Sequence, residues 1–253
     1  MCLIIIAHRH SADYPLIVAA NRDEFHARPT QDAHWWPDRP TLLGGRDQQA
    51  GGTWLAVHRS GRFAAVTNFR DAAKTSAKLR SRGHLITEFL ESGFTASEYL
   101  EGIDGDEYAG FNLLVGDGDA FAYLSNRGGG LEVLPPGIYG VANATLDTPW
   151  AKVERSKIAM QDLIESGRAN ETNLLRLLND RNKASVSEVE AGRLSFTRAH
   201  AMTAPFIVQP DYGTRCSSVL IRDNTGSVRF TELRFGADGL ELGRSEFAFG
   251  IET

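Results

Sequence analysis

A cysteine at position 2, directly behind the initiator methionine, and a dense polar run at Asn21-Arg22-Asp23-Glu24 are the residues whose types could do chemistry in this chain. An initiator Met followed by a residue as small as Cys is normally trimmed, which would leave Cys2 with both a thiol and a free α-amino group. One residue then supplies nucleophile and base. The thiol has a reference pKa of about 8.5 and the α-amine one of about 7.7 to 8.0, so near neutral pH part of the amine is free to take the thiol proton. The chemistry this suggests is acyl transfer. If Met1 stays, the amine belongs to Met1 and Cys2 has no built-in base; a Cys on a strand also serves as a small buried apolar residue.

The polar run follows the apolar stretch Leu16-Ile17-Val18-Ala19-Ala20, so it sits where a buried strand emerges. Such density is costly unless it is paired or used. Asp23 could accept from a protonated N-terminal amine and orient it, while Arg22 could pair with Glu24 or hold a substrate carboxylate. A structural ion-pair and turn cluster is the alternative. His8 and His10 share a strand face but bring no third ligand, so no metal site is predicted. Two cysteines, Cys2 and Cys216, cannot make a disulfide scaffold or a four-cysteine zinc site, and Cys216 reads as a buried small thiol.

The elements that must position these residues begin with strands over 2–8, 15–21, 53–58 and 62–68, the last two joined at Arg59-Ser60-Gly61-Arg62. Between them, Arg28 to Gly52 carries Trp35-Trp36, three prolines and two Gly-Gly pairs, and is expected to be a long loop, either a pocket wall or lid or a structural Ω-type loop. Apolar spacing predicts helices over 83–92 and 96–103, then strands over 111–116, 120–125 and 138–142. Thr148-Pro149 reads as N-cap and first position of the next helix, and Asn170 opens another. Strands over 205–209, 215–222, 227–235 and 245–251 end the chain. Residues 181–200 read as a polar insertion.

The 253 residues allow one large domain, and the absence of a linker or repeat predicts a single domain over 1–253. A formal net charge of −5 disfavours a nucleic-acid partner, and Lys78, Arg80 and Arg82 read as solvated surface. No apolar run reaches the roughly 20 residues that span a bilayer, and the start lacks the features of a signal peptide, so a cytoplasmic location is expected. No strand-helix alternation or glycine-rich phosphate loop points to a nucleotide fold. Layers of helix on paired sheets fit better.

Several spaced motifs resemble one family: Met-Cys at the start, Ala-Ala-Asn-Arg-Asp-Glu-Phe at 19–25, Arg-Pro at 28–29, Gly-Gly-Thr-Trp-Leu at 51–55, Thr-Asn-Phe-Arg at 67–70, Gly-Phe-Asn-Leu at 110–113 and Tyr-Gly-Thr-Arg at 212–215. It is the NRDE family, which includes the transport and Golgi organisation 2 proteins. The resemblance implies an α+β fold, a four-layer αββα sandwich of the N-terminal-nucleophile hydrolase type, and links to haem handling, lipid homeostasis and Golgi organisation. A more distant likeness to the choloylglycine and penicillin V acylases implies roles: Cys2 as nucleophile, Asp23 on its amine, Asn143 at the oxyanion and Arg215 completing the site. Those acylases carry an Arg three residues before the Asp, where this chain has Ala20.

Two functions are expected from these readings. In the first, Cys2 hydrolyses an amide or related acyl bond in a small molecule, with Asn21, Arg22, Glu24, Asn68 and Trp54 lining the substrate side and no cofactor required. The second is a non-catalytic binding or carrier protein for haem, acyl-CoA or another lipid-like ligand, in which Cys2 or His8 could be an axial iron ligand. The tryptophans serve either as a ligand wall or as core.

Overall fold

The computed structural model describes residues 2–70, 79–118, 120–189 and 194–252; Met1 and Lys78 lie outside them. Long apolar runs make β1 (Cys2–His8) and β2 (Leu16–Phe25), which pair antiparallel with Cys2 opposite Arg22 and Leu3 opposite Asn21. Next to β1 lies β10 (Gly137–Val141), and next to β2 lie β11 (Tyr212–Arg222), β12 (Ser227–Phe235) and β13 (Glu241–Gly250), giving the order β10-β1-β2-β11-β12-β13.

A second sheet runs in chain order through β3 (Thr30–Trp36), β4 (Arg39–Asp47), β5 (Leu55–His58), β6 (Phe63–Asn68), β7 (Phe111–Gly116), β8 (Phe121–Ser125) and β9 (Gly130–Val133). Three hydrophobic interfaces stack the layers. Ile4, Ile6, Val18 and Leu220 of the first sheet meet Leu43, Val57, Phe63 and Leu114 of the second. The outer face of the first sheet, with Leu3, Ile5, Ile17 and Val219, is covered by α3 (Ala151–Glu165) and α4 (Glu171–Leu178). Helices α1 (Gly83–Glu91) and α2 (Ala96–Glu101) cover the second sheet. The expected four-layer αββα sandwich is the observed architecture.

The apolar residues of β1 and β2 alternate between these interfaces, and the alternation assigns the polar ones. Asn21 and Asp23 follow Ile17 and Ala19 to the helix side, whereas Cys2, Arg22 and Glu24 follow Ile4, Val18 and Ala20 to the space between the sheets.

Three expectations are corrected. Residues 28–52 are largely strand: Trp36, Leu42 and Leu43 are buried, and the glycines serve close packing, since a Cβ on Gly45 would lie 2.1 Å from the Trp54 ring and one on Gly44 2.5 Å from the Leu55 carbonyl. The stretch 205–209 is irregular, contributing a single bridge from Val208 to Gly213, because Pro205 lacks an N–H and the Ile207 N–H is taken by the Thr214 hydroxyl. Helix α3 starts after Trp150, since the Thr148 hydroxyl turns back to the Thr145 carbonyl instead of capping. Strand β9 carries no fully buried residue and so no apolar signature. The insertion at 181–200 includes a short helix, α5 (Phe196–Ala201), tied back through His200 to the Ala184 carbonyl. Arg80 pairs with Glu88 and Glu107.

At the end of β1 remote from Cys2, His8 stacks on Phe121 with ring centroids 5.4 Å apart. Burial, reinforced by Arg9 and Arg222, lowers its pKa to about 4. The folded protein therefore favours the neutral ring, and this contribution, complete above the unfolded value of about 6.5, is lost as pH falls toward 4. Denaturant melts at about pH 7.5 and 4.5 should show a smaller acid loss in His8→Phe than in the wild type; equal losses would discount the group.

Candidate active site

Cys2 opens β1 at the edge of the inter-sheet space. The residue keeps some exposure, while its thiol lies beneath the surface. Its main-chain N–H donates to Asn143 Oδ1 at 3.2 Å. Asn143 follows β10, the other neighbour of β1, and its Nδ2 donates to the Asn68 carbonyl at 2.6 Å, while its own carbonyl accepts from the Arg70 N–H at 2.7 Å. Asn143 thus ties the start of β1 to the end of β6 on the facing sheet. One proton of its amide remains for a further acceptor. Asn68 is exposed and enters through its carbonyl.

Asp23 is 2% exposed. Its Oδ1 accepts from the Thr214 hydroxyl at 2.7 Å, and its main-chain carbonyl accepts from the Tyr212 hydroxyl at 2.8 Å. Its main-chain N–H points at the Cys2 thiol. Burial pushes the Asp23 carboxyl up to about 6, against the opposing pull of the N-terminal charge first, then of Lys152, the Thr214 hydrogen bond and Arg22. The Cys2 thiol is likewise raised by burial first and by the Asp23 charge, while the N-terminal charge, the Asp23 N–H and Arg22 work the other way.

Arg22 occupies the inter-sheet side, 5% exposed, with its guanidinium carbon 4.5 Å from the Trp54 ring centroid. It sits between Cys2 on β1 and Cys216 on β11, its cross-strand neighbours on either side. Its Nη1 has no hydrogen-bond partner among the described residues. Burial raises Cys216 well above the ordinary thiol range, with the charge of Glu232 adding to the effect.

The remaining expected residues are turned elsewhere. Asn21 is spent on structure: Nδ2 donates to the Leu178 and Pro205 carbonyls, and Oδ1 accepts from Ser217. Glu24 accepts from the Phe25 N–H and approaches Arg28, which is paired with Asp47. Arg215 donates to the Phe25 and Arg28 carbonyls, holding the chain after β2. It is the extra residue of a bulge in β11: Thr214 pairs with Asp23 and Cys216 with Arg22, so the bulge turns Thr214 toward the Asp23 carboxylate.

Two residues were missed in the sequence. Thr214 stands next to Arg215 in the same motif and nothing but the bulge selects it. Lys152, in the first turn of α3, is 2% exposed, and its charge interacts with those of Asp23 and Cys2. Its signal was faint: it precedes Val153 and lies four residues before Ser156, both on the buried stripe of α3. Lys152 also lines a cavity of about 350 Å³ walled by Pro149, Trp150, Ala199 and Met202 with Arg70 and Glu188 at its polar side, a volume within the usual range for small-molecule sites. Among the described residues, no group of three His, Cys, Asp or Glu side chains could hold a metal ion.

The family model described as Transport and Golgi organisation 2 matches residues 1–237. A Transport and Golgi organization protein 2 homolog from Bos taurus is 38% identical over 238 residues, covering 87% of this chain and 86% of the relative, and the Homo sapiens homolog is 35% identical over 244 residues with the same coverage. Among solved structures, the Caenorhabditis elegans ortholog of N-acylethanolamine-hydrolyzing acid amidase aligns with a TM-score of 0.51 at 15% identity, covering 87% of this chain and 92% of that one. A mutant conjugated bile acid hydrolase from Clostridium perfringens aligns with a TM-score of 0.56 at 9% identity, covering 99% and 92%. The structural likeness concerns the fold, which is that of the N-terminal-nucleophile hydrolases.

The elevated Asp23 carboxyl carries a definite linkage sign. Because its folded pKa of about 6 lies above the unfolded value, the stability it gives is full below about 4 and is lost as pH rises through 6. Asp23→Asn should therefore gain on the wild type between pH 4 and 8, by up to about 3 kcal/mol in denaturant melts. A stability difference that does not vary with pH would show that Asp23 is not held out of its ordinary range.

Proposed function

The chain belongs to the Transport and Golgi organisation 2 family, and from that membership together with the fold we propose that it is a Cys2-dependent hydrolase of an amide or related acyl bond in a small molecule. The observation that carries this reading is the grip on the first residue of β1. The Cys2 nitrogen rests on Asn143 Oδ1, and its thiol meets the Asp23 N–H.

With Met1 removed, that nitrogen becomes an amine held by Asn143 and facing the Asp23 carboxylate. The amine takes the thiol proton, and sulfur attacks the substrate carbonyl carbon. The carbonyl π pair moves onto oxygen, where the free Nδ2 proton of Asn143 can donate. Collapse breaks the acyl bond. The leaving nitrogen or oxygen takes the proton from the α-ammonium, and water then hydrolyses the thioester by the same proton route. Arg22 supplies positive charge beside the thiolate from the inter-sheet face. Ala20 and Arg22 share that face, so a cation lies two residues further along the same strand than the resemblance to the acylases expects.

A second reading is a ligand carrier for a lipid-like molecule such as acyl-CoA, or for haem. It is favoured by the names of the relatives, which speak of transport and Golgi organisation. Of the two axial ligands the sequence offers for haem, His8 does not fit, because it is buried against Phe121 beside a space of only about 10 Å³. No helix among the described residues is long and apolar enough to cross a membrane.

Intact mass of the protein expressed with its native start, read before and after a short alkylator pulse at neutral pH with Cys2→Ala as control, separates the two. Hydrolysis predicts loss of Met1, fast labelling confined to Cys2, and turnover in a screen of N-acyl substrates that Cys2→Ala abolishes. Retained Met1 with a Cys2 no faster than an ordinary thiol would sink the hydrolase and favour the carrier.

A further inference from the structure

Lys152 is buried at a place where packing has little use for a charge. It precedes Val153 on the face of α3 that meets the first sheet, and a methionine there would fill the volume without desolvating an ammonium. Among the described residues its Nζ makes one long hydrogen bond, 3.4 Å to the Met202 carbonyl, although an ammonium has three protons to place. Packing and hydrogen bonding therefore return little for the burial. The compensation is electrical: burial drives Lys152 toward the neutral amine, Asp23 and then Cys2 pull it back toward the cation, and Arg70 opposes them. Interaction between charges is mutual, and Lys152 accordingly holds the Asp23 carboxyl down.

We propose that Lys152 is a positioning residue for the nucleophile: from the helix side of the sheet its charge balances Asp23, so that the Cys2 thiol can ionise beside a buried carboxylate. This inference rests on the hydrolase reading of Cys2 and adds a third member to its pair. Without Lys152 the carboxyl would keep its proton to higher pH, and the thiol would lose a cation whose charge favours the thiolate. The groups that set the balance are all in place. Cys2 is acted on by the N-terminal charge and by Asp23 and Arg22 of β2; Lys152 of α3 is acted on by Asp23, Cys2 and Arg70, and Glu188 lines the same cavity.

The test is the alkylation rate of Cys2 against pH, from about pH 5 to 10, in the full-length wild type, Lys152→Met and Lys152→Arg, with the labelled site located by mass spectrometry and folding checked by thermal melts. Lys152→Met should move the midpoint up by about one pH unit or more, a roughly tenfold loss of labelling near neutral pH, and Lys152→Arg should return it toward the wild type. A Lys152→Met midpoint equal to that of the wild type would overturn the proposal and leave Lys152 a packing residue. Should Lys152→Met fail to fold, Lys152→Gln, which can keep the bond to Met202, is judged by the same criterion. Because the readout is thiol ionisation, it stands apart from turnover. A shifted midpoint with no N-acyl substrate cleaved removes the hydrolase alone, and cleavage with an unshifted midpoint removes the role of Lys152 alone.

Discussion

At the Cys2 end of the sandwich, the structure depends on one side-chain amide. Asn143 accepts from the first strand of one sheet through Cys2, donates to the last residue of β6 on the other, and takes a third bond on its own carbonyl from Arg70. Two sheets packed face to face are held by apolar contact, which is strong but non-directional. It resists separation far better than sliding. A directional bond at the open edge, where apolar contacts run out, fixes how the two sheets meet and with them the distance between Cys2 and anything carried by the second sheet. The same segment is bound again just beyond, where Asn112 donates to the Ala144 carbonyl and Tyr123 accepts from the Leu146 N–H. The loop after β10 thus behaves as part of the framework.

Around that clasp the protein concentrates buried ionisable groups that a purely structural sandwich would avoid. Asp23, Lys152, Arg22 and Glu232 are each at most 5% exposed, and they divide between two interfaces. Asp23 and Lys152 oppose each other on the helix side. Arg22 lies between the sheets on the face of Trp54, while Glu232 accepts from the Ala33 N–H and from Ser218. Partial compensation of this kind keeps groups within reach of a proton at ordinary pH, as the value of about 6 for Asp23 illustrates. A core made only for stability would have replaced them with hydrocarbon.

How much of this could be read beforehand follows from the range of each cause. The apolar runs of β1 and β2 and the stripes of α1 and α4 are local signals; they placed β1, α1 and α4 within a residue, whereas β2 runs four residues past its expected end at 21 because its polar end is buried strand. The αββα order came through the resemblance carried by spaced motifs. Residues 28–52 misled because Gly-Gly and Pro suggest turns, whereas Gly44 and Gly45 are small to admit the Leu55 carbonyl and the Trp54 ring from β5 and its approach, a demand invisible along the chain. In the site, Cys2 and Asp23 stood out by type and position, and Asn143 only through the likeness to the acylases. Arg215 drew attention as a cation in a motif, yet Thr214 makes the bond to Asp23, because a one-residue bulge inverts the faces at that point. Lys152 escaped since a lysine in a first helical turn ordinarily points to water.

The bulge and the pleat together explain why adjacent residues of Asn21-Arg22-Asp23-Glu24 have separate tasks. Odd positions go to the helix layer, where Asn21 bonds the Leu178 and Pro205 carbonyls and Asp23 meets Lys152; even positions go to the inter-sheet space with Cys2. Cys2 touches both systems, since its side chain shares the even face while its thiol meets the Asp23 main chain. A shift of pairing by one residue would put Arg22 against the helices and Asp23 against Trp54, removing the cation from Cys2 and setting a carboxylate against an aromatic face. The apolar alternation from Leu16 to Ala20 forbids that slip, because it would also turn Ile17 and Ala19 out of their packed layer. The hydrophobic pattern of β2 is therefore what aims its polar end, and the electrostatics around Cys2 are a consequence of how the strand must bury its apolar residues.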